Sequence, residues 1–161
     1  MKRLSFTAIF SVTATALLAI PLVTGAQAPA VKLRAAKAAE RASAIASIQG
    51  QLKAFDHNDY KTAITFQSAG LRRNFASPAA FAAMIMQAYP QFAHSKSATF
   101  GPAQCDQTGS HLSLPATVIG KDGVTVHALY LLVREGKVYH VEGVGGGMRI
   151  LPPSDTPDAD V

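Results

Sequence analysis

Residues 48–68 read IQGQLKAFDHNDYKTAITFQS, and the expected architecture grows from this stretch. Ile48, Leu52 and Phe55, with Ile45 before them, recur at three- and four-residue steps. That spacing makes one apolar stripe on a helix that begins before Ala42. Asp56-His57-Asn58-Asp59 interrupts it, and Asn58 or Asp59 can cap a second, short helix whose buried side is Tyr60, Ala63, Ile64 and Phe66. A third helix is signalled by Ser77 as cap and Pro78 at the first helical position. Its inward side is Phe81, Met84, Ile85, Ala88 and Tyr89, and Pro90 ends it.

From Ser97 the composition shifts to β-branched and aromatic residues separated by Gly, Pro and Asp-Gly, which predicts an antiparallel meander. Strands are expected at 98–107, 111–119, 124–133 and 137–144, with Gly120-Lys121-Asp122-Gly123 and Glu135-Gly136 as hairpin turns. Pro115 removes a ladder donor and predicts a bulge or an edge position. Gly145-Gly146-Gly147 leads into Met148 and a Pro-rich end, not into a helix, so it reads as a bend before a short final strand rather than a phosphate cradle. Helices followed by strands define an α+β fold: three N-terminal helices packed on a curved antiparallel sheet of four to five strands.

A two-residue turn fixes register and therefore faces. With Arg134 opposite Lys137, Leu132 pairs with Tyr139 and Tyr130 with Val141. The face carrying Ala128, Tyr130, Leu132, Tyr139, Val141 and Gly143 is then apolar apart from two phenol tips, and belongs against the helices. The other face carries His127, Leu129, Leu131, Val133, Val138, His140 and Glu142. Its apolar strip, Leu129, Leu131 and Val133 with His140, suits contact with a second copy of the chain.

The first 28 residues place Lys2 and Arg3 before an uncharged run from Leu4 to Val23 and small residues at Ala26-Gln27-Ala28. This is the order of a secretory signal peptide, with cleavage expected near Ala26–Ala30 and delivery to the periplasm or the medium. Residues 29–44 read as a basic, Ala-rich helical lead-in, 45–151 as a single α+β domain and 152–161 as a disordered Pro/Asp-rich tail. Membrane contact is expected only through the signal segment before cleavage. Without Lys2 and Arg3, thirteen Lys and Arg stand against ten Asp and Glu. Lys32, Arg34, Lys37 and Arg41 cluster, but no aromatic residue interleaves with them, so no nucleic-acid partner is expected and a solvated helix face is the simpler reading. Cys105 is the one cysteine, which excludes an internal disulfide and suits a small, half-buried strand position. His94 and His111 have no second ligand at metal spacing, so neither a metal nor a cofactor is expected.

The Gln-Leu-x-Ala-Phe helix end at 51–55, the acidic turn, the SPAAF and MIMQAYP segments at 77–90, the Phe100-Gly101 pair and ALYLLVREGKVYHVEGV at 128–144 together resemble a bacterial domain-of-unknown-function family, DUF 4864, of the nuclear-transport-factor-2-like, cystatin-like α+β superfamily. Tyr139 stands where relatives usually have Trp. The resemblance spans roughly 45–144 and implies a curved sheet wrapped on three helices as a cone with a pocket. It implies no catalytic signature, since some enzymes of the wider fold place an Asp in the cone and others only bind or assemble.

In such a cone the aromatic residues Phe55, Tyr60, Phe66, Phe81, Tyr130 and Tyr139 are the expected pocket lining. The polar groups available from the helix side are Asp56, Asp59, Tyr60 and Gln67. Asp56 or Asp59 as general base beside Tyr60 as oxyanion donor would make an isomerase or dehydratase; the competing role for both aspartates is capping or bridging the helix junction. The leading expectation is a non-enzymatic exported module that binds a small apolar ligand or a partner and forms a homodimer through the outer sheet face.

Overall fold

The computed structural model describes residues 32–150. Signal segment, cleavage zone and the 152–161 tail lie outside them. A short strand β1 (Leu33–Ala35) comes first, then the long helix α1 (Ala38–Asp56), and a run of short helices α2 (Tyr60–Ala63), α3 (Ala69–Arg72), α4 (Pro78–Ala88) and α5 (Pro90–Ala93). The strands β2 (Ser95–Phe100), β3 (Gln104–Asp106), β4 (His111–Gly120), β5 (Thr125–Glu135) and β6 (Val138–Ile150) complete the chain. The fold is α+β, with helices against one face of an open six-stranded antiparallel sheet ordered β1-β3-β4-β5-β6, and β2 beside β3 along β4.

The helix signals operate where they stand. Ser77 accepts from the Ala80 amide at 3.1 Å and Pro78 opens α4. Asp59 accepts from the Thr62 amide at 3.0 Å and starts α2. Ile48, Leu52 and Phe55 are buried on α1, and Phe81 and Ile85 on α4, whereas Ala88 is exposed.

The lead-in differs from expectation. Leu33–Ala35 is a strand paired with β3, and helix begins only at Ala38. Two of its four cations are spent inside the fold: Arg34 forms a bidentate pair with Glu40, both contacts 2.8 Å, and Arg41 donates to the carbonyls of Phe100 and Gly101. The strand expected over 98–107 is divided by Gly101-Pro102-Ala103. Proline cannot donate to a ladder, and the two free carbonyls at the break are those that Arg41 takes. Pro115 neither bulges β4 nor lies at the sheet edge. A strand residue points its N–H and C=O to the same side; the Pro115 carbonyl accepts from Gly101, so its missing donor faces the break.

The last hairpin turns through Gly136, at φ +66°, and Lys137, with Glu135 opposite Val138 and Arg134 opposite Tyr139. That is two residues from the expected register. A slip of two leaves every face unchanged, so Ala128, Tyr130, Leu132, Tyr139 and Val141 are all buried as the alternation requires. A register shift then follows, pairing Leu132 with Val141 but Leu131 with Gly143. The extra residue reverses parity: Gly143 pairs with outward Leu131, and Val144 joins the inner side. Strand β6 continues to Ile150 through the glycine triplet, where a bend was expected.

Edge strand β6 is covered by side chains. Tyr139 donates its amide to Ser43 Oγ at 3.3 Å and accepts from Ser47 Oγ at 2.5 Å, one helical turn apart on α1. The Val141 carbonyl accepts from the Ser68 amide at 2.8 Å. The Ser43 and Ser47 bonds seat α1, and all three use the outward backbone groups of the edge nearest the hairpin, at Tyr139 and Val141.

Candidate functional site

A cavity of about 170 Å³ lies between the helices and the sheet. From α1 it is bordered by Gln51 and Phe55, from the segment around α3 by Gln67, Leu71 and Phe75, and from α4 by Met84 and Ile85. Tyr89 and Phe92 close one side, and Tyr130, Val141, Gly143 and Val144 form the sheet wall. The β6 bulge is what turns Val144 into that wall. None of these residues carries a charge. Phe92 stands 6.0 Å from Tyr130 and 5.7 Å from Tyr89, ring centre to ring centre, so aromatic edges and faces supply much of the surface.

Two amides sit in this apolar setting. Gln51 is 3% exposed, and its Nε2 donates to the Ala63 carbonyl across a long 3.4 Å. Gln67 is 4% exposed and its Oε1 has no hydrogen-bond partner. Among the described residues Gln91 Oε1 and His140 Nδ1 are also buried without a partner, but neither residue borders the cavity. Tyr130 is 1% exposed, no hydrogen bond among the described residues uses its hydroxyl, and burial raises its pKa. Buried amide and phenol groups normally find partners, because leaving one unpaired costs about 1–3 kcal/mol.

Of the six aromatic residues expected to line a pocket, the structure brings Phe55 and Tyr130 to the cavity. Phe81 is fully buried in the core beside it, with its ring 5.6 Å from Phe55 and 5.1 Å from Phe75. Tyr60 is half-buried outside it, its ring centre 6.0 Å from that of Phe55. Phe66 lies over α1 at Gly50, where a Cβ would come 2.5 Å from its ring, and faces a surface groove shared with His57 and Asp59. Tyr139 is at the other end of the sheet. There its hydroxyl donates to the Gly109 carbonyl at 2.5 Å, with Cys105 Sγ 3.9 Å away, and burial pushes its pKa up to about 12.

The aspartates do not reach the cavity. Asp56 is ion-paired with Lys121, and Asp59 caps α2. The Lys121 ammonium holds Asp56 below the usual carboxylate range, and hydrogen bonding from Thr62 does the same for Asp59. Each is stabilised as an anion, the reverse of what a general base in an apolar pocket requires. Tyr60 comes no nearer than 3.5 Å to Asn58 through its hydroxyl. Cys105 is fully buried, and burial raises its pKa, which disfavours a reactive thiolate.

On the outer sheet face Leu129 and Leu131 are 40% and 45% exposed, with Val133 and His140 half-buried beside them. Sequence reasoning named Gln67 as a possible cavity group but missed Gln51, Phe75, Met84 and Phe92. The signal for Gln51 was present: it lies one residue from Leu52 on the buried side of α1, where a polar residue needs a reason.

Fold and site together define a small α+β domain with a partly open, uncharged, aromatic-rich cavity between its helices and its sheet. The chain matches the family described as a domain of unknown function (DUF4864) over residues 37–146, and it belongs to that family. No curated protein and no solved structure matches it.

Proposed function

We propose that this chain is an exported, non-enzymatic binding module of the nuclear-transport-factor-2-like kind, which takes a small apolar ligand between α1, α4, α5 and the sheet. The observation that carries this reading is the cavity of about 170 Å³, bordered by aromatic and aliphatic side chains. Protein interiors leave few voids larger than a water, and an apolar cavity of about 150 Å³ holds a benzene-sized molecule. Export rests on Lys2, Arg3, the apolar run and the small residues at Ala26–Ala30, with periplasm or medium as destination. An isomerase or dehydratase built on Asp56 or Asp59 would need one of them on the cavity, and no observation favours that reading.

The test is a titration with toluene, followed by the ring-proton NMR shifts of Phe92 and Tyr130 and by the melting temperature. Saturable shifts confined to the cavity and a concentration-dependent rise in Tm are expected. A flat response in both would end the ligand-binding reading.

A homodimer through the outer sheet face is supported by Leu129, Leu131 and Val138, the last 46% exposed. Sedimentation equilibrium should then give twice the chain mass, with Leu131→Glu shifting it to the monomer. A wild-type monomer at the highest attainable concentration excludes the dimer.

A further inference from the structure

We propose that the ligand is a small uncharged aromatic molecule that donates a hydrogen bond, of about phenol size, and that Gln67 Oε1 is the group that accepts it. This rests on the ligand-binding reading above and narrows it by size, charge and polarity.

Size comes from the cavity: about 170 Å³ accommodates roughly six to seven non-hydrogen atoms when about 150 Å³ accommodates benzene. Charge comes from the lining, which contains no Asp, Glu, His, Lys or Arg. An anion or a cation entering there would be desolvated with nothing to pair it, at a cost that excludes carboxylates and amines in their ionised forms. Aromatic character comes from five rings, those of Phe55, Phe75, Tyr89, Phe92 and Tyr130, on the lining. Edge and face contacts with so many rings favour a planar partner over a branched aliphatic one of equal volume.

Polarity comes from Gln67. Its side chain borders the cavity, is 4% exposed, and offers an acceptor oxygen with no partner among the described residues. The backbone explains why it is held there. The Gln67 amide donates to Ile64, the next amide, Ser68, donates to Val141, and Gln67 itself bridges Val141 in parallel, so this segment is fastened to β6 on the cavity wall. A donor on the ligand would satisfy Oε1, whereas a purely apolar ligand would leave it buried and unpaired.

The experiment compares phenol with toluene, which differ by a hydroxyl in place of a methyl, on the full domain and on Gln67→Met. Methionine keeps the length and apolar bulk of the side chain and removes the amide; Gln67→Leu serves in its place should the Met variant not fold. Phenol affinity should fall by about tenfold in the variant while toluene affinity is unchanged or tighter. Equal changes for both ligands, or no loss for phenol, overturn the assignment of Gln67 while toluene binding keeps the broader reading intact. Failure of both ligands to bind the unmodified domain overturns the two together.

Discussion

Tyr130 and Tyr139 lie on the same face of the sheet, both 1% exposed, on adjacent strands, yet the two ends of the core they occupy are built to different standards. Around Tyr139 nearly everything polar is paired. Its hydroxyl donates to Gly109, its amide and carbonyl meet Ser43 and Ser47, and nearby Glu40 binds both arms of Arg34 and the Lys37 amide. Around Tyr130 there is a cavity and, on its wall, an unpaired Gln67 oxygen. The first end is finished by the chain itself. The second keeps a cavity and a buried acceptor that the described residues leave unfilled and unpaired.

The comparison predicts unequal responses to mutation. Leu112→Ala, beside Cys105 in the ladder at the filled end, should cost about 2–5 kcal/mol in urea denaturation, because close packing cannot relax into the hole. A cost below about 1 kcal/mol would mean that the two ends are equally loose. Next in size, Tyr139→Phe should cost about 1–3 kcal/mol by stranding the Gly109 carbonyl, whereas Tyr130→Phe should lie within about 0.5 kcal/mol of the unmodified protein. Equal losses from the two would remove the distinction. Smaller still, Gln67→Met should stabilise the ligand-free domain by about 1 kcal/mol, since it deletes a buried unpaired acceptor. Destabilisation would show that the amide has a structural role.

The least effect is expected from pH on ligand binding, which should be flat between about pH 5 and 8 because no group titrating in that range lines the cavity. The filled end should respond to acid instead. Hydrogen bonding from Arg34, then from the Lys37 amide, holds Glu40 down at about 2 against an ordinary 4.5. A carboxyl depressed on folding contributes fully above its unfolded pKa and loses that contribution as pH falls towards the folded value. Stability measured by urea at descending pH should therefore drop between about 4.5 and about 2, and less steeply for Glu40→Gln. Identical slopes would assign the acid sensitivity to Asp106 and the other carboxylates.

Much of this protein was legible in its residues. The three-four spacing of Ile48, Leu52 and Phe55, the Ser77-Pro78 start and the alternation along 126–132 each identify an element and its buried face, because these signals act within a few residues. The lead-in was misread because Arg34 and Arg41 look like a solvated basic face until their partners, Glu40 and the carbonyls at the β2–β3 break, are brought to them. Tyr139 and Phe81 were grouped with Phe55 and Tyr130 for a similar reason: aromatic character predicts burial, and burial alone does not separate a filled core from a cavity wall.

Local pattern, then, established α1, α2 and α4, the strands β4 to β6 and which side of the sheet faces inward, since face depends only on parity and survived a register slip of two; β1, α3, α5 and the division of β2 from β3 it did not show. Tertiary structure alone decided the bulge that turns Val144 inward, the pairing of Asp56 with Lys121, and that Gln67 Oε1 on the cavity wall is buried without a partner among the described residues. Whether a buried polar atom is satisfied depends on groups distant in the chain that packing brings to it, so it becomes visible only once the whole fold is assembled.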